Sequence, residues 1–234
     1  MTDQTLSVAE IFYSIQGEGP STGLPSIFLR LAGCNLLCKG SWICDTIEVW
    51  KHGKSMTFQE IYSHEAFKHL RRTWNERLII TGGEPLLQQA QLIKFFQFIH
   101  DHGYYPQVEV ETNGTVKPNG ELLNIVNQWN VSPKLSNSGV SSEHRLTPAL
   151  DIFKRYSTWN NNVFFKFVIT SIDDISEIVH TYDLPPQAII LMPGADTQID
   201  LDELRPLVIE WCKSYGFRFT DRLHITTWNK KTGV

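Results

Sequence analysis

Short apolar runs alternate with longer segments of mixed polarity along most of the chain. Ala9–Ile15, Ser26–Leu31, Leu78–Thr81, Gln107–Glu111, Asn130–Ser132, Val163–Ile169, Ala188–Met192 and Arg222–Thr226 are rich in β-branched and aromatic residues, the composition of strands. Helices are predicted between them at Phe58–Trp74, Leu86–His100, Glu121–Trp129, Thr147–Tyr156, Ile172–Tyr182 and Leu201–Tyr215. The first opens after Thr57, with Glu60 completing a capping box; the second starts just past Pro85. Alternating strands and helices predict βα units on a mainly parallel sheet, an α/β fold. Six or so units fall short of the eight that close a full barrel. No repeat, low-complexity tract or linker breaks the pattern, so residues 1–234 are expected to form a single domain.

The residues that punctuate this pattern are unusual. "QGEG" (Gln16–Gly19) follows the first strand and "GCNLLC" (Gly33–Cys38) the second. "TGGEP" (Thr81–Pro85), "ETNG" (Glu111–Gly114) and "SPK" (Ser132–Lys134) follow the next three. In parallel sheets the working groups sit at the C-terminal strand ends. These five segments are therefore expected to bring glycines, carboxylates and thiols to one edge of the sheet.

Composition narrows the possibilities. Hydrophobic residues make up 41% of 234, which excludes a disordered chain. A formal net charge of -4 argues against a protein that grips nucleic acid through a broad basic face. The start, "MTDQTLSVAE", carries no signal pattern, and no apolar run reaches about 18 residues. A cytoplasmic protein with no membrane partner is expected. Four cysteines are too few for a disulfide scaffold in a chain this long, and in a reducing cytosol they stay thiols.

Three of the four fall close together, at Cys34, Cys38 and Cys44, spaced C-x3-C-x5-C beside Gly33, Gly40 and Asp45. Such flanks favour a loop on which thiolates can converge. A structural zinc ion wants four ligands, usually as two pairs; there is no second pair, and His52 would have to be the fourth. Cys212 lies in an apolar helical pattern and reads as core. Three thiolates also suit an iron–sulfur cluster with one iron left open to a ligand.

In this order, "SIQGEGPSTGLPSIFLRLAGCNLLC", "CDT", "TGGEP", "VETNGT" and "VSPK" resemble the radical S-adenosylmethionine (SAM) enzymes, and among them the 7-carboxy-7-deazaguanine synthase family. The resemblance runs from Ile11 to the late "RLHI". One departure stands out. The usual motif is C-x3-C-x2-C, whereas here Ser41 occupies the place of the third cysteine and "CKGSWICDT" reads as that segment with added residues.

The resemblance implies an incomplete TIM-like βα barrel of the radical SAM type, with a [4Fe–4S] cluster on Cys34, Cys38 and Cys44. It implies SAM beside Gly83, Ser132, Pro133 and Lys134, and a magnesium ion on Thr46. It places a pterin substrate, 6-carboxy-5,6,7,8-tetrahydropterin, against Ile15, Gln16, Gly17, Arg30 and Thr81. A 5′-deoxyadenosyl radical would start a ring contraction that releases ammonia and forms 7-carboxy-7-deazaguanine. An electron donor and a homodimer are implied as well. Two other readings stay open: a different radical SAM reaction, of the activating-enzyme kind, and a zinc-stabilised binding module without catalysis.

Overall fold

The fold is that of a computed structural model, which describes residues 4–71, 77–229, 231 and 233. Its strands are β1 (Thr5–Ile15), β2 (Pro25–Leu31), β3 (Lys54–Thr57), β4 (Arg77–Gly82), β5 (Gln107–Thr112), β6 (Gln128–Val131), β7 (Val163–Ile169), β8 (Ile189–Pro193) and β9 (Arg218–Phe219). The helices are α1 (Ile47–Trp50), α2 (Phe58–Ser63), α3 (Gln89–Asp101), α4 (Gly120–Ile125), α5 (Ser142–Arg145), α6 (Ala149–Ser157), α7 (Ile172–Thr181), α8 (Gln198–Tyr215) and α9 (Leu223–Trp228). Among the described residues the strands form one sheet in the order β3-β1-β2-β4-β5-β6-β7-β8-β9. From β2 onward every neighbouring pair is parallel, while β1 runs antiparallel to both β2 and β3. The sheet is open, with β3 and β9 at its two edges, so the barrel is incomplete, as the number of βα units predicts.

The pleat sorts the side chains. Alternate strand positions such as Leu29, Leu31, Leu78, Ile80, Val108, Val110, Trp129, Val131, Phe165, Phe167 and Leu191 enter the main hydrophobic core. They pack there with Leu92, Phe95, Phe96 and Ile99 of α3, Phe153 of α6, Ile178 of α7 and Val208 of α8. The intervening positions, Arg30, Thr81, Glu111, Asn130 and Lys166, line the hollow on the other face. One face of each strand therefore carries stability and the other carries polar chemistry. Cys212 belongs to the core, and its thiol donates to the Arg218 carbonyl at 3.4 Å.

Several sequence expectations change. Arg222–Thr226, predicted as a strand, is instead the start of α9; the last strand is the two-residue β9 just before it. The β-branched "ITT" misleads because Ile225 packs into a small cluster with Ala195 and Leu201, a tertiary contact that overrides propensity. Glu121–Trp129 splits: α4 stops at Ile125, and Gln128 and Trp129 open β6, where both are buried. Phe58–Trp74 is α-helical only to Ser63, then turns at an extended His64 into a 3-10 stretch, Glu65–Arg71; Arg72–Trp74 lie outside the described residues. The Thr57–Glu60 capping box forms as expected.

The single-edge expectation also fails for "QGEG". Because β1 is antiparallel, Ile15 pairs with Pro25 at the N-terminal edge of the parallel strands. The β1–β2 connection folds back into the hollow, and Glu18 there meets Lys166 in β7. No helix among the described residues is long and apolar enough to cross a membrane.

The core gives a direct test. Phe95 is fully buried and packs against Phe58, Phe67 and Phe96. Phe95→Ala is expected to lower the free energy of unfolding by about 3–5 kcal/mol in urea denaturation, through lost transfer energy and a residual cavity. A loss below about 1 kcal/mol would mean that the aromatic cluster does not hold the helices on the sheet.

Candidate active site

The C-terminal ends of β4 to β8 surround a cavity of about 760 Å³. Cys34, Cys38, Cys44 and Thr46 line it, together with Gly83, Ser132 and Lys134, and with Ile15, Gln16, Gly17, Arg30 and Thr81. Pro133, between two lining residues, is not itself a lining residue. Residues distant in sequence thus meet in one space.

The loop that carries the thiols shows how the longer spacing is absorbed. Lys39 and Ile43 form an isolated antiparallel bridge, and Cys44 N donates to the Cys38 carbonyl at 3.2 Å. Residues 39–43 are thus the tip of a small hairpin, and Cys38 and Cys44 face each other across its base. Lengthening a hairpin tip leaves the base in place, so the extra residues do not separate the two thiols. The tip docks on the segment after β6. Lys39 N donates to the Ser138 carbonyl at 3.0 Å, Ser41 N to the Asn137 carbonyl at 2.7 Å, and the Trp42 indole to Asn137 Oδ1 at 3.0 Å. Gly40 permits this approach, since a Cβ there would lie 2.1 Å from the Asn137 carbonyl oxygen.

Glu84 of "TGGEP" joins two strand ends. Buried, it accepts from Asn113 N at 2.7 Å, Thr112 Oγ1 at 2.8 Å and Leu86 N at 3.0 Å. Burial raises its pKa, although these donors oppose the shift. Gly83 packs directly against the cysteine loop: a Cβ there would lie 2.1 Å from the Gly33 carbonyl oxygen and 2.8 Å from Cys34 Cβ. The glycine is required by the chain itself, whatever else it contacts.

Beneath the loop the hollow is charged. Glu18 pairs with Lys166, with Arg222 at 3.3 Å and with His224 at 3.8 Å. Burial alone would raise the Glu18 pKa, but the Lys166 and Arg222 cations outweigh it and hold the carboxyl well below its usual range. Burial likewise works against the charge of Lys166 and Arg222, and their acidic neighbours more than offset it, so both pKa values lie above normal. Burial lowers that of His224, which keeps its imidazole neutral near pH 7.

Gln16 spends both amide hydrogens inside, on Glu109 at 2.9 Å and Glu111 at 3.1 Å; Thr81 Oγ1 donates to Glu111 at 2.7 Å. Gln16 and Thr81 together therefore orient the Glu111 carboxylate toward the cavity that it lines. Arg30 lines the same cavity, while its Nε donates to Glu10 at 3.0 Å. A side chain that lines the cavity is thus also engaged in an ion pair. Asp45, whose role the sequence leaves open, pairs with Arg222. His224, whose role the sequence also leaves open, lines the cavity, as do Lys166 and Arg222, which the sequence does not single out. Only Lys166 had a signal of its own, a lone charge within the apolar "VFFKFVI".

The thiols fit a cluster better than a single ion. Among the described residues no group of three His, Cys, Asp or Glu could hold one metal ion. Zinc needs ligands about 2.0–2.3 Å from one point, whereas a cluster takes a separate thiolate at each iron. Cys212 lies in the core and is no candidate for a fourth ligand. Burial pushes the Cys34 thiol up to about 11 and raises Cys38 as well, so both are protonated until a metal displaces the proton.

A family model described as a 4Fe-4S single cluster domain matches residues 15–131. In fold the chain resembles QueE from Escherichia coli, with a TM-score of 0.67 at 23% identity over 95% of this chain and 96% of that one. It also resembles anSMEcpe with bound AdoMet, with a TM-score of 0.55 at 16% identity over 82% and 62%. Fold and family match together define a 4Fe-4S single cluster domain on an open, mainly parallel α/β sheet.

Similar sequences narrow the class further. The 7-carboxy-7-deazaguanine synthase of Pyrobaculum aerophilum is 35% identical over 97% of this chain and 96% of its own. That of Leptospira interrogans is 30% identical over 100% of this chain and 100% of its own. That of Halobacterium salinarum is 30% identical over 96% and 91%. The chain belongs to the 7-carboxy-7-deazaguanine synthase family. The zinc-module and activating-enzyme readings are set aside.

Asn113 of "ETNG" bears on the cluster's potential. Its Oδ1 accepts from Thr115 N at 2.9 Å and Thr115 Oγ1 at 2.6 Å, which turns Nδ2 toward Cys34 Sγ at 3.9 Å; Leu36 N donates to the same sulfur at 3.4 Å. Donors to a ligating sulfur stabilise the more negative, reduced cluster. Asn113→Ala is expected to make the midpoint potential more negative by on the order of 20–60 mV, the one-electron equivalent of roughly 0.5–1.5 kcal/mol. A redox titration followed by EPR measures this, and an unchanged potential would remove Asn113 from the cluster's surroundings.

Proposed function

We propose that the chain converts 6-carboxy-5,6,7,8-tetrahydropterin to 7-carboxy-7-deazaguanine with release of ammonia. The observation that carries the reading is the convergence of three thiols, the "TGGEP" and "SPK" strand ends and a polar barrel interior on one cavity. Cys34, Cys38 and Cys44 would hold a [4Fe–4S] cluster, and Gly83, Ser132, Pro133 and Lys134 would hold SAM. When bound, these cofactors supply hydrogen-atom abstraction from the substrate. The chain's own residues then bind, orient and shield. Arg30 offers a cation to the substrate carboxylate. Glu111, held by Gln16 and Thr81, offers an acceptor to the N–H edge of the pterin ring. Ile15 and Gly17 complete that wall.

Thr46 suits a magnesium ion. It precedes α1 as its N-cap, yet its hydroxyl makes no capping bond, so that oxygen is not committed to the helix. A hard hydroxyl oxygen with substrate oxygens and water meets magnesium's needs. A one-electron donor, a homodimer, a cytoplasmic setting and a single domain over residues 1–234 belong to the same reading and rest on resemblance and composition.

Anaerobic reconstitution with iron and sulfide, followed by product analysis with SAM, a reductant, magnesium and the carboxypterin, tests the reaction. Formation of the deazaguanine carboxylate with one 5′-deoxyadenosine per turnover or fewer is expected; SAM cleavage with the pterin left intact would overturn the assignment. Cys44→Ala is expected to lose cluster absorbance and product, while Cys212→Ala keeps both. Thr46→Val keeps the side-chain shape without its oxygen. It is expected to raise the magnesium concentration needed for half-maximal product formation about tenfold, the loss of roughly 1.4 kcal/mol of binding, with an unchanged cluster spectrum. A fall in rate that no magnesium concentration rescues would assign Thr46 to packing.

A further inference from the structure

Arg222 stands where three loops meet. Its buried guanidinium donates through Nη1 to the Ala195 carbonyl at 2.6 Å, through Nε to Glu18 at 3.3 Å, and through Nη2 to Asp45. Ala195 follows β8, Glu18 belongs to the β1–β2 connection, and Asp45 lies between Cys44 and Thr46. The backbone of Arg222 is fixed from another side. Its N–H donates to Asp221 Oδ1 at 2.8 Å, and Asp221 pairs with Arg205 of α8 at 2.9 Å. The arm that reaches Asp45 is therefore anchored to a long helix.

Beyond the segment, Ile47 and Trp50 of α1 are buried and Gly33 N donates to the Trp50 carbonyl at 3.0 Å, but among the described residues the side-chain hydrogen bond of Asp45 itself is the one to Arg222. After the hairpin, Cys44 N bonds to the Cys38 carbonyl. Next comes α1, four residues long and without a side-chain cap, too short to be stable alone. An exposed ion pair in such a place would contribute little. This pair differs because its ends are unequal: the side chain of Asp45 is 40% exposed and that of Arg222 is 9% exposed. Glu18 and Asp45 are the two carboxylates that pair with Arg222. Removing Asp45 takes one of them from a buried guanidinium.

We propose that Arg222 is a positioning residue, which fixes the Cys44–Thr46 segment by holding Asp45 and so makes the placement of the third thiol and of the Thr46 hydroxyl depend on docking of the C-terminal segment. The clamp stands on the geometry. Its consequence for the cluster rests on the function proposed above.

Amide hydrogen exchange on full-length, cluster-loaded protein tests it, with Arg222→Gln, Arg222→Lys, Asp45→Asn and the double variant Arg222→Gln/Asp45→Asn. The amides of Cys44 and Trp50, which bond to Cys38 and Thr46, report on the segment. In Arg222→Gln and in Asp45→Asn they are expected to exchange about ten- to hundredfold faster, the span of one charge-assisted hydrogen bond, with the amides of β7 unchanged. Arg222→Lys is expected to fall between wild type and Arg222→Gln. The double variant is expected to be no faster than either single, because both remove the same contact. The EPR signal of the reduced cluster is expected to broaden in both singles, a readout that general loosening of the barrel would not move. Unchanged exchange at Cys44 and Trp50, or effects of the two singles that add, would overturn the clamp. If Arg222→Gln does not fold, Asp45→Asn, altered at the exposed end, decides alone. A wild-type protein that takes up no iron would sink the proposed function, while the exchange comparison would still decide the clamp.

Discussion

A charge placed inside the hollow of this barrel must find its counter-charge there, and that requirement organises most of what the sheet encloses. Lys166 is buried in β7 and needs a carboxylate. Glu18 supplies it from the opposite side of the molecule, because the antiparallel β1 turns its connection inward rather than toward the cysteine edge. Glu18 also accepts from Arg222, and Arg222 donates in turn to Asp45, so the set ends beside the thiols. The same connection brings Gln16 and Ser21 to Glu109, which would otherwise sit in the interior with fewer donors. An element that is out of step with the parallel sheet is thereby what allows the polar inner face to exist.

The cysteine loop meets a different constraint, that of geometry along the chain. Thiolates must keep fixed relative positions for a cluster, yet the second gap is longer than the usual motif. The hairpin at 39–43 answers this, because two residues opposed at the base of a hairpin stay opposed however long its tip. The cost of the longer tip is exposed backbone, and Asn137 and Ser138 accept most of it. Ile43 stays 63% exposed, which shows that the tip is held by hydrogen bonds and by Trp42 rather than by burial.

How much of this was legible beforehand follows from the range of each interaction. β7 is found with its observed ends, Val163–Ile169, because a run of apolar residues bounded by polar turns is a local signal. The glycine- and cysteine-rich strand ends were legible for the same reason. β3, "KSMT", was not, since a short polar edge strand exists only by pairing with β1. Arg222 was missed, and the role of His224 left open, because their meaning lies in Glu18, 204 residues away from Arg222 in the case of its hydrogen bond, and in a helix that the β-branched "ITT" disguises. Gln16 was legible as a site residue but not in its manner of acting. No sequence pattern says that both of its amide hydrogens are already spent on Glu109 and Glu111.

The interior also buries carboxylates in two physically distinct ways, and the difference bears on what the cavity can bind. Glu84 and Glu109 are surrounded mainly by neutral donors; burial wins, and their pKa values rise. Glu18 has two cations beside it, Lys166 and Arg222, and stays ionised. Neutral donors solvate a carboxylate without cancelling its charge, whereas a cation does both. The ionised groups of the hollow are therefore concentrated where Glu18 meets Lys166 and Arg222, and the groups beneath the glycine-rich strand end carry less charge. A ligand with one anionic end and one neutral, hydrogen-bonding ring has complementary surroundings in such a space: cationic groups such as Arg30 for the first, and the oriented Glu111, Asn130 and Thr81 for the second. That polarity follows from how each charge is paired, and the apolar outer face, which holds the helices, leaves it free to do so.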